Sequence, residues 1–332
     1  MNDNPYPTSW WTDRKVSVVA HAATVAVAAT ATVLHRAVAR RYPKAAGAIM
    51  PALAVGSWAV IHTAERRRPF RQQWTHDQND TRTDLASFVS MAAPRAIGLA
   101  VGTAVGKRLG VRVRLDRLPS VVAIPAAILA YDLWHTTYHR ISHQWGPAWT
   151  LHAVHHSPRR LYWLNAFRFH VGEVAVDAVG ESVLSALFPL AAHQRTGYEV
   201  MRAVYGNLQH ANIALDSGPL NRVFSTPDLH RWHHSEIYDE GDTNYGAVTS
   251  VWDQAMGSYY DPDRPFDSKL GVGRMPEFPT TWRGLLRAPV DWNHIKQRNA
   301  ATWYDAEPLT ALQVSSGDRT NSAVAATPSG AP

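Results

Sequence analysis

The chain has 332 residues, no cysteine, seventeen histidines and a formal net charge of +6. That length places no limit on burying a core, and the missing cysteines exclude disulfides, thiolate metal sites and cysteine nucleophiles. The basic balance could suit nucleic acid, but the cations flank apolar runs and no helix-turn-helix, zinc-finger or RNA-binding signature is present, so anionic lipid is the favoured partner.

Four apolar stretches come first: Val16–Leu34, Ala45–Ile61, Leu85–Val105 and Leu118–Trp134. Each approaches the ~20 residues a helix needs to cross a ~30 Å hydrocarbon core. The mean hydropathy of −0.25 hides them, because polar residues fill the rest of the chain. Alanine and glycine keep the stretches only mildly apolar, and Pro94-Arg95 interrupts the third, so a soluble bundle is the plainer alternative. The flanks favour a membrane: Trp10-Trp11 beside Arg14-Lys15, Arg40-Arg41 with Lys44, and "ERRRPFR" from Glu65 to Arg71. Because further apolar segments follow the first, an uncleaved anchor is expected there and not a signal peptide. The loops after the first three stretches are all basic, although successive loops should lie on opposite sides. The positive-inside rule therefore assigns no orientation.

From Tyr131 the text turns rich in histidine, tryptophan, asparagine and acids. The apolar segment Val171 to Ala192 carries Glu173, Asp177 and Glu181, and reads as a helix with one polar face. After Pro262 proline and arginine become common, and from about Ala306 a Ser/Thr/Ala/Pro tail with little to bury is expected to be disordered. The organisation expected is an N-terminal membrane-helix region (1–117), a catalytic domain (118–300) and a tail (301–332). The fold class expected is all-α, an integral membrane bundle with a histidine-rich di-metal site at one end.

Twelve of the seventeen histidines lie between positions 135 and 234. "LHAVHHS" and "LHRWHHS" repeat one pattern, HxxHH, in His152, His155, His156 and again in His230, His233, His234. On a helix these spacings place each triad in one sector, so each is expected to converge on one point. "HRISH" adds His139 and His143, four residues apart. Imidazoles packed this closely repel when protonated and waste hydrogen bonds when neutral, and a divalent cation resolves both problems. One structural zinc takes four ligands. These eight histidines, with His210 of "NLQHAN" as a ninth, suit two ions. An all-histidine set differs from the carboxylate-rich di-metal bundles, and ligand type alone leaves iron, zinc, manganese and copper open. His135 and His170 are additional candidates, as ligands or outer groups. Asp132, Glu173, Asn207, Asn212, Asp228 and Asn244 could accept the second ring N–H of a ligand histidine, with capping as the duller role. The isolated His21, His35, His62, His76, His193 and His294 are read as helix-end or surface residues.

The order "DLWHTTYHRISH", "WTLHAVHHSPRRLYWLNAFRFHVGE", "QHAN", "TPDLHRWHHS" and "NYGAVTSVWDQAMGSYYDP", from Tyr131 to Pro262, resembles the fatty acid hydroxylase / sterol desaturase superfamily. One departure is visible: the family often has proline after the histidine of its RxHPxE element, and this chain has Val171. By position, the resemblance makes His139 and His143 the first motif and His152, His155 and His156 the second. His230, His233 and His234 make the third, with His210 between. It implies a multi-pass membrane enzyme with two iron ions at the cytoplasmic face, using O2 and two electrons on an unactivated lipid C–H bond. Family products are hydroxylated or desaturated fatty acids, sterols, carotenoids and sphingolipids, and ether lipids cleaved after hydroxylation. Breaking an alkyl C–H bond is beyond side-chain acids and bases, so a redox metal is required. The chain shows no nucleotide-binding glycine motif and no electron-transfer segment, so a separate ferredoxin or cytochrome b5 type protein is expected as donor. The lipid tail is expected between helices, in a slot that Trp134, Trp145, Trp149, Trp163 and Phe167 could line, with core packing as the alternative. The rival readings are a di-zinc hydrolase, for which no HExxH-type glutamate is present, and a non-catalytic metal- or lipid-binding protein.

Overall fold

The computed structural model describes residues 10–300, with side chains from residue 13 onward. The Trp10-Trp11 side chains and the tail after Ala306 lie outside the described residues. Nine helices come first: α1 (Trp10–Ala39), the short α2 (Pro43–Ala46), α3 (Ile49–Arg67), α4 (Thr81–Ser90), α5 (Ala92–Arg108), α6 (Ser120–Gln144), α7 (Gly146–His156), α8 (Val171–Leu187) and α9 (Ala192–His210). Five short ones follow: α10 (Pro227–His233), α11 (Tyr238–Gly241), α12 (Val251–Met256), α13 (Trp282–Arg287) and α14 (Trp292–Arg298). Among the described residues there is no β-strand, only three isolated bridges.

Proline punctuates this order. Pro94 cannot donate to the carbonyl four residues back, and the third apolar stretch breaks at Met91 into α4 and α5. The segment expected to run to Ala192 stops at Leu187, just before Pro189, whose predecessor is barred from helical geometry. Conversely, the fourth apolar stretch does not end at Trp134. It continues as α6 through His139 and His143, so one helix carries both apolar surface and metal-type residues.

Three segments are long and apolar enough to cross a membrane: Asp13–Ala39, Pro43–Arg67 and Thr81–Arg108. Their outward side chains are apolar. Val19, Val33, Val60 and Ile97 are each more than 60% exposed, whereas polar Ser17, His21, Thr24 and Asp84 point inward. That inversion suits hydrocarbon and not water. Helices α5 and α8 meet backbone to backbone. A Cβ on Gly98 or Gly102 would stand 2.3 Å from the carbonyl oxygen of Ala175 or Val179, and one on Gly106 would stand 2.5 Å from the Ala186 Cβ. Small residues every four positions allow this close approach where lipid supplies no hydrophobic drive. Helix α1 packs on α9 through Ala28, Ala31, Val200, Val204 and Leu208.

Buried ionic clamps tie the loop after α7 to the membrane helices. Arg160 grips Asp80 at 2.7 and 2.8 Å, Arg168 pairs with Asp84, and Tyr162 donates to Asp84 at 2.6 Å. Glu65 of α3 accepts the backbone N–H groups of Trp163 and Asn212, both at 2.8 Å. Each clamp satisfies groups that would otherwise be costly to bury.

Candidate metal centre

All nine histidines of the four motifs converge at one end of the bundle, in two adjoining groups. His139, His143, His152, His156 and His233 form one, and His155, His210, His230 and His234 form the other. Within each group one nitrogen per ring lies within 4.8 Å of all the others. The triads do not each converge on one point, as their spacing suggested. Successive helical residues turn by about 100°, so positions i and i+4 are about 40° apart while i+3 lies off to the other side. His152 and His156 accordingly share one group, as do His230 and His234, while His155 and His233 each cross to the opposite one. The two motifs thus interlock.

Local structure sets the ring orientations. The Nδ1 atoms of His139, His233 and His210 donate to the carbonyls of Tyr245, Thr243 and Gly206 at 2.8, 2.7 and 3.0 Å. His155 Nδ1 faces the Arg168 carbonyl at 3.3 Å, and His152 Nδ1 meets the Glu173 carboxylate at 2.5 Å. A carbonyl only accepts, so Nδ1 carries the proton and Nε2 of the neutral ring carries the lone pair. Yet Nε2 of His139 faces Nε2 of His152 at 2.9 Å, and Nε2 of His155 faces that of His210 at 3.3 Å. Nε2 of His230 stands 3.2 Å from that of His210 and 3.1 Å from that of His234, while its own Nδ1 is buried without a partner. Nε2 of His143, His156 and His233 is buried without any partner.

Lone pairs facing one another need either a second proton or a cation. Burial opposes the proton: it pushes His139, His143, His155, His156, His230 and His234 far below the ordinary imidazole value, and neighbouring histidines push the same way. Burial also lowers His210 to about 4 and His233 to about 3. A cation remains, and the nitrogen spacings match ligands each standing ~2.1 Å from a shared first-row ion. The residues fit two metal ions.

The outer candidates divide. Among the carboxylates and amides singled out in the sequence, only Glu173 touches a clustered histidine. Asp132 accepts the N–H groups of Val248 and Thr249 at 3.0 and 2.6 Å, and Asn212 both accepts from and donates to Arg71. Asn207 donates to Trp163, Asp228 accepts from Ser217, and Asn244 binds Leu229 and Tyr260 from a left-handed backbone at φ 54°. These residues shape loops. His135 lies outside both groups, 3.3 Å from Asp177. His170 is the N-cap of α8, its Nδ1 accepting from Gly172 at 3.1 Å. This cap opens the helix where Val171 replaces the family's proline. The isolated histidines also stay outside, although His21 is neither at the surface nor at a helix end: it is buried in α1 against Tyr205 and Phe224.

Aromatic rings close the centre. Phe169 lies flat on His155 at 4.2 Å, Tyr245 stands edge-on to His139 and His143, and Trp149 packs against His143 and His156. Phe169 and Tyr245 were missed in the sequence, where an aromatic beside a motif reads as core. The five slot candidates do not form one wall. Trp163 and Phe167 join Trp58 and Phe88, Trp134 binds Asp177, and Trp145 is 60% exposed.

An all-helical membrane bundle with nine converging histidines defines a class, and comparison with known proteins identifies it. The fatty acid hydroxylase family model matches residues 124–258. The ornithine lipid hydroxylase OlsE of Rhizobium tropici is 32% identical over 228 residues, 64% of this chain and 68% of that protein. Alkylglycerol monooxygenase of Danio rerio is 29% identical over 136 residues, 40% of this chain and 29% of the relative. The Homo sapiens alkylglycerol monooxygenase is 26% identical over 134 residues, 40% of this chain and 30% of its own length. The match thus spans under a third of either monooxygenase. No solved structure matches. This chain belongs to the fatty acid hydroxylase family and is an oxidoreductase of that class.

Proposed function

We propose that the protein is a membrane lipid hydroxylase whose nine clustered histidines hold two iron ions. The observation that carries this reading is the interlocked division of the histidines into groups of five and four, neither of which contains a carboxylate. Two relatives named for lipid hydroxylation and monooxygenation support the reaction type. The overall change is R–H + O2 + 2e⁻ + 2H⁺ → R–OH + H2O, with the electrons supplied by a separate ferredoxin or cytochrome b5 type protein. A bound iron pair would supply the O2 activation that side-chain acids and bases lack.

The chain's own groups do the rest. The carbonyls of Tyr245, Thr243, Gly206 and Arg168 fix the histidine tautomers, and Glu173 orients His152. Phe169, Tyr245 and Trp149 exclude water from the rings. The lipid tail would reach the centre from the bilayer between helices, with the histidine end facing the cytoplasm. Oxygen uptake by the protein in lipid nanodiscs, coupled to an added reductant and to a hydroxylated lipid product, is the expected result. A metal-loaded protein that consumes no oxygen under those conditions would refute the hydroxylase reading.

A further inference from the structure

His170 belongs to neither histidine group, yet its ring joins two helix ends. Its Nδ1 accepts the Gly172 N–H at 3.1 Å and so caps the start of α8. Its Nε2 faces the carbonyl of Leu286, near the end of α13, at 3.2 Å. A carbonyl only accepts, so the proton lies on Nε2 and the lone pair on Nδ1, which is the tautomer that the cap requires. One neutral ring thus serves an N–H at the start of one helix and a C=O at the end of another. Neither group finds a partner within its own helix.

The surroundings tie this ring to the metal centre. Leu285 of α13 joins Ala153 and Val154 of α7 in one buried apolar cluster. A Cβ on Gly172 would stand 3.2 Å from His170 Nδ1 and 3.6 Å from Leu151 of α7, so the glycine lets the start of α8 close on both. Helix α7 carries His152, and the first turn of α8 carries Glu173, which meets His152 Nδ1 at 2.5 Å. Glu173 Oε2 is buried without a hydrogen-bond partner, so among the described residues His152 alone bonds this carboxylate. The aim of Glu173 therefore depends on the backbone turn that carries it. The geometry points to His170 as a positioning residue: by capping α8 and holding the Leu286 carbonyl, it fixes the first turn of α8 and with it the aim of Glu173 at His152. The inference rests on the reading of the nine histidines as a metal centre.

The test is chelator competition for iron(II), without oxygen, on the full-length protein in lipid nanodiscs. His170→Ala removes the cap and the α13 bond, and should weaken metal affinity by about tenfold, the low end of the loss that follows removal of an outer partner. His170→Asn offers a side-chain oxygen to the Gly172 N–H, a favoured cap, and should bring affinity back to within about twofold of native. In the Glu173→Ala background His170→Ala should cost nothing further, because a residue that acts through another is not additive with it. A merely structural role predicts the opposite pattern, an equal loss of affinity whether or not Glu173 is present. Native affinity in His170→Ala, no recovery in His170→Asn, or additive losses in the double variant would each overturn the inference. A native chain that binds no iron(II) would refute the metal centre itself, and this inference with it.

Discussion

His155 and His233 occupy the i+3 place of their motifs, and each belongs to the group that the rest of its triad does not join. Either residue changed to alanine should remove a ligand from one group while leaving the other intact. The expected outcome is lower metal content and loss of turnover with membrane insertion unchanged, and normal activity in either variant would refute the ligand role. His294→Ala, exposed in α14, is the control and should change nothing. Glu173→Ala leaves His152 Nδ1 unsupported and should weaken metal affinity by about 10–100-fold, the usual cost of losing an outer partner. A chelator competition titration reads that loss directly.

The same histidines fix how stability depends on pH. Burial holds His233 at about 3 and His210 at about 4, against about 6.5 in the unfolded chain. Between those values the unfolded state binds more protons, so stability rises with pH. For the metal-free protein it is complete above about pH 6.5 and is lost as the pH falls toward 4. Thermal unfolding of the metal-free protein should therefore show a lower midpoint at pH 5 than at pH 7.5. An equal or higher midpoint at pH 5 would contradict the buried, neutral imidazoles.

At the scale of elements, backbone contact between α5 and α8 is the most sensitive joint. Gly102→Val must displace the Val179 carbonyl, since even a Cβ would come within 2.3 Å of it. Overpacking of this kind costs about 1–3 kcal/mol, read as a lower unfolding midpoint in detergent with metal content per folded chain preserved. Asp84→Ala strands Arg168 in a buried site and should cost about 3–5 kcal/mol. Because Arg168 also presents its carbonyl to His155, this variant should in addition lose metal, which Gly102→Val should not.

Much of this architecture was legible in the residues. The apolar stretches marked helices α1, α3 and α5, and the helical reading of Glu173, Asp177 and Glu181 matches α8. Those three carboxylates face not water but partners within the fold: His152, His135 and Arg95 respectively. The ends of elements were less legible, because tertiary packing carries α6 ten residues beyond the apolar run that announces it. The motif spacing pointed to convergence of the nine histidines but not to their interlocking, which depends on how two short helices, α7 and α10, are set against each other. The outer partners were the least legible. Four of the five Nδ1 partners are backbone carbonyls, which leave no signature in side-chain identity.

At the scale of the whole molecule, apolar helices that suit a bilayer stand beside a buried histidine centre that is too costly to keep without a use. The centre's cytoplasmic facing and its electron donor belong to the proposal. The account stands most directly on metal stoichiometry, measured by elemental analysis of the purified, lipid-embedded protein. Two transition-metal ions per native chain are expected, and one when His155 and His230 are both replaced by alanine. A native chain without bound transition metal, or one whose metal content is unmoved by that double substitution, would contradict it.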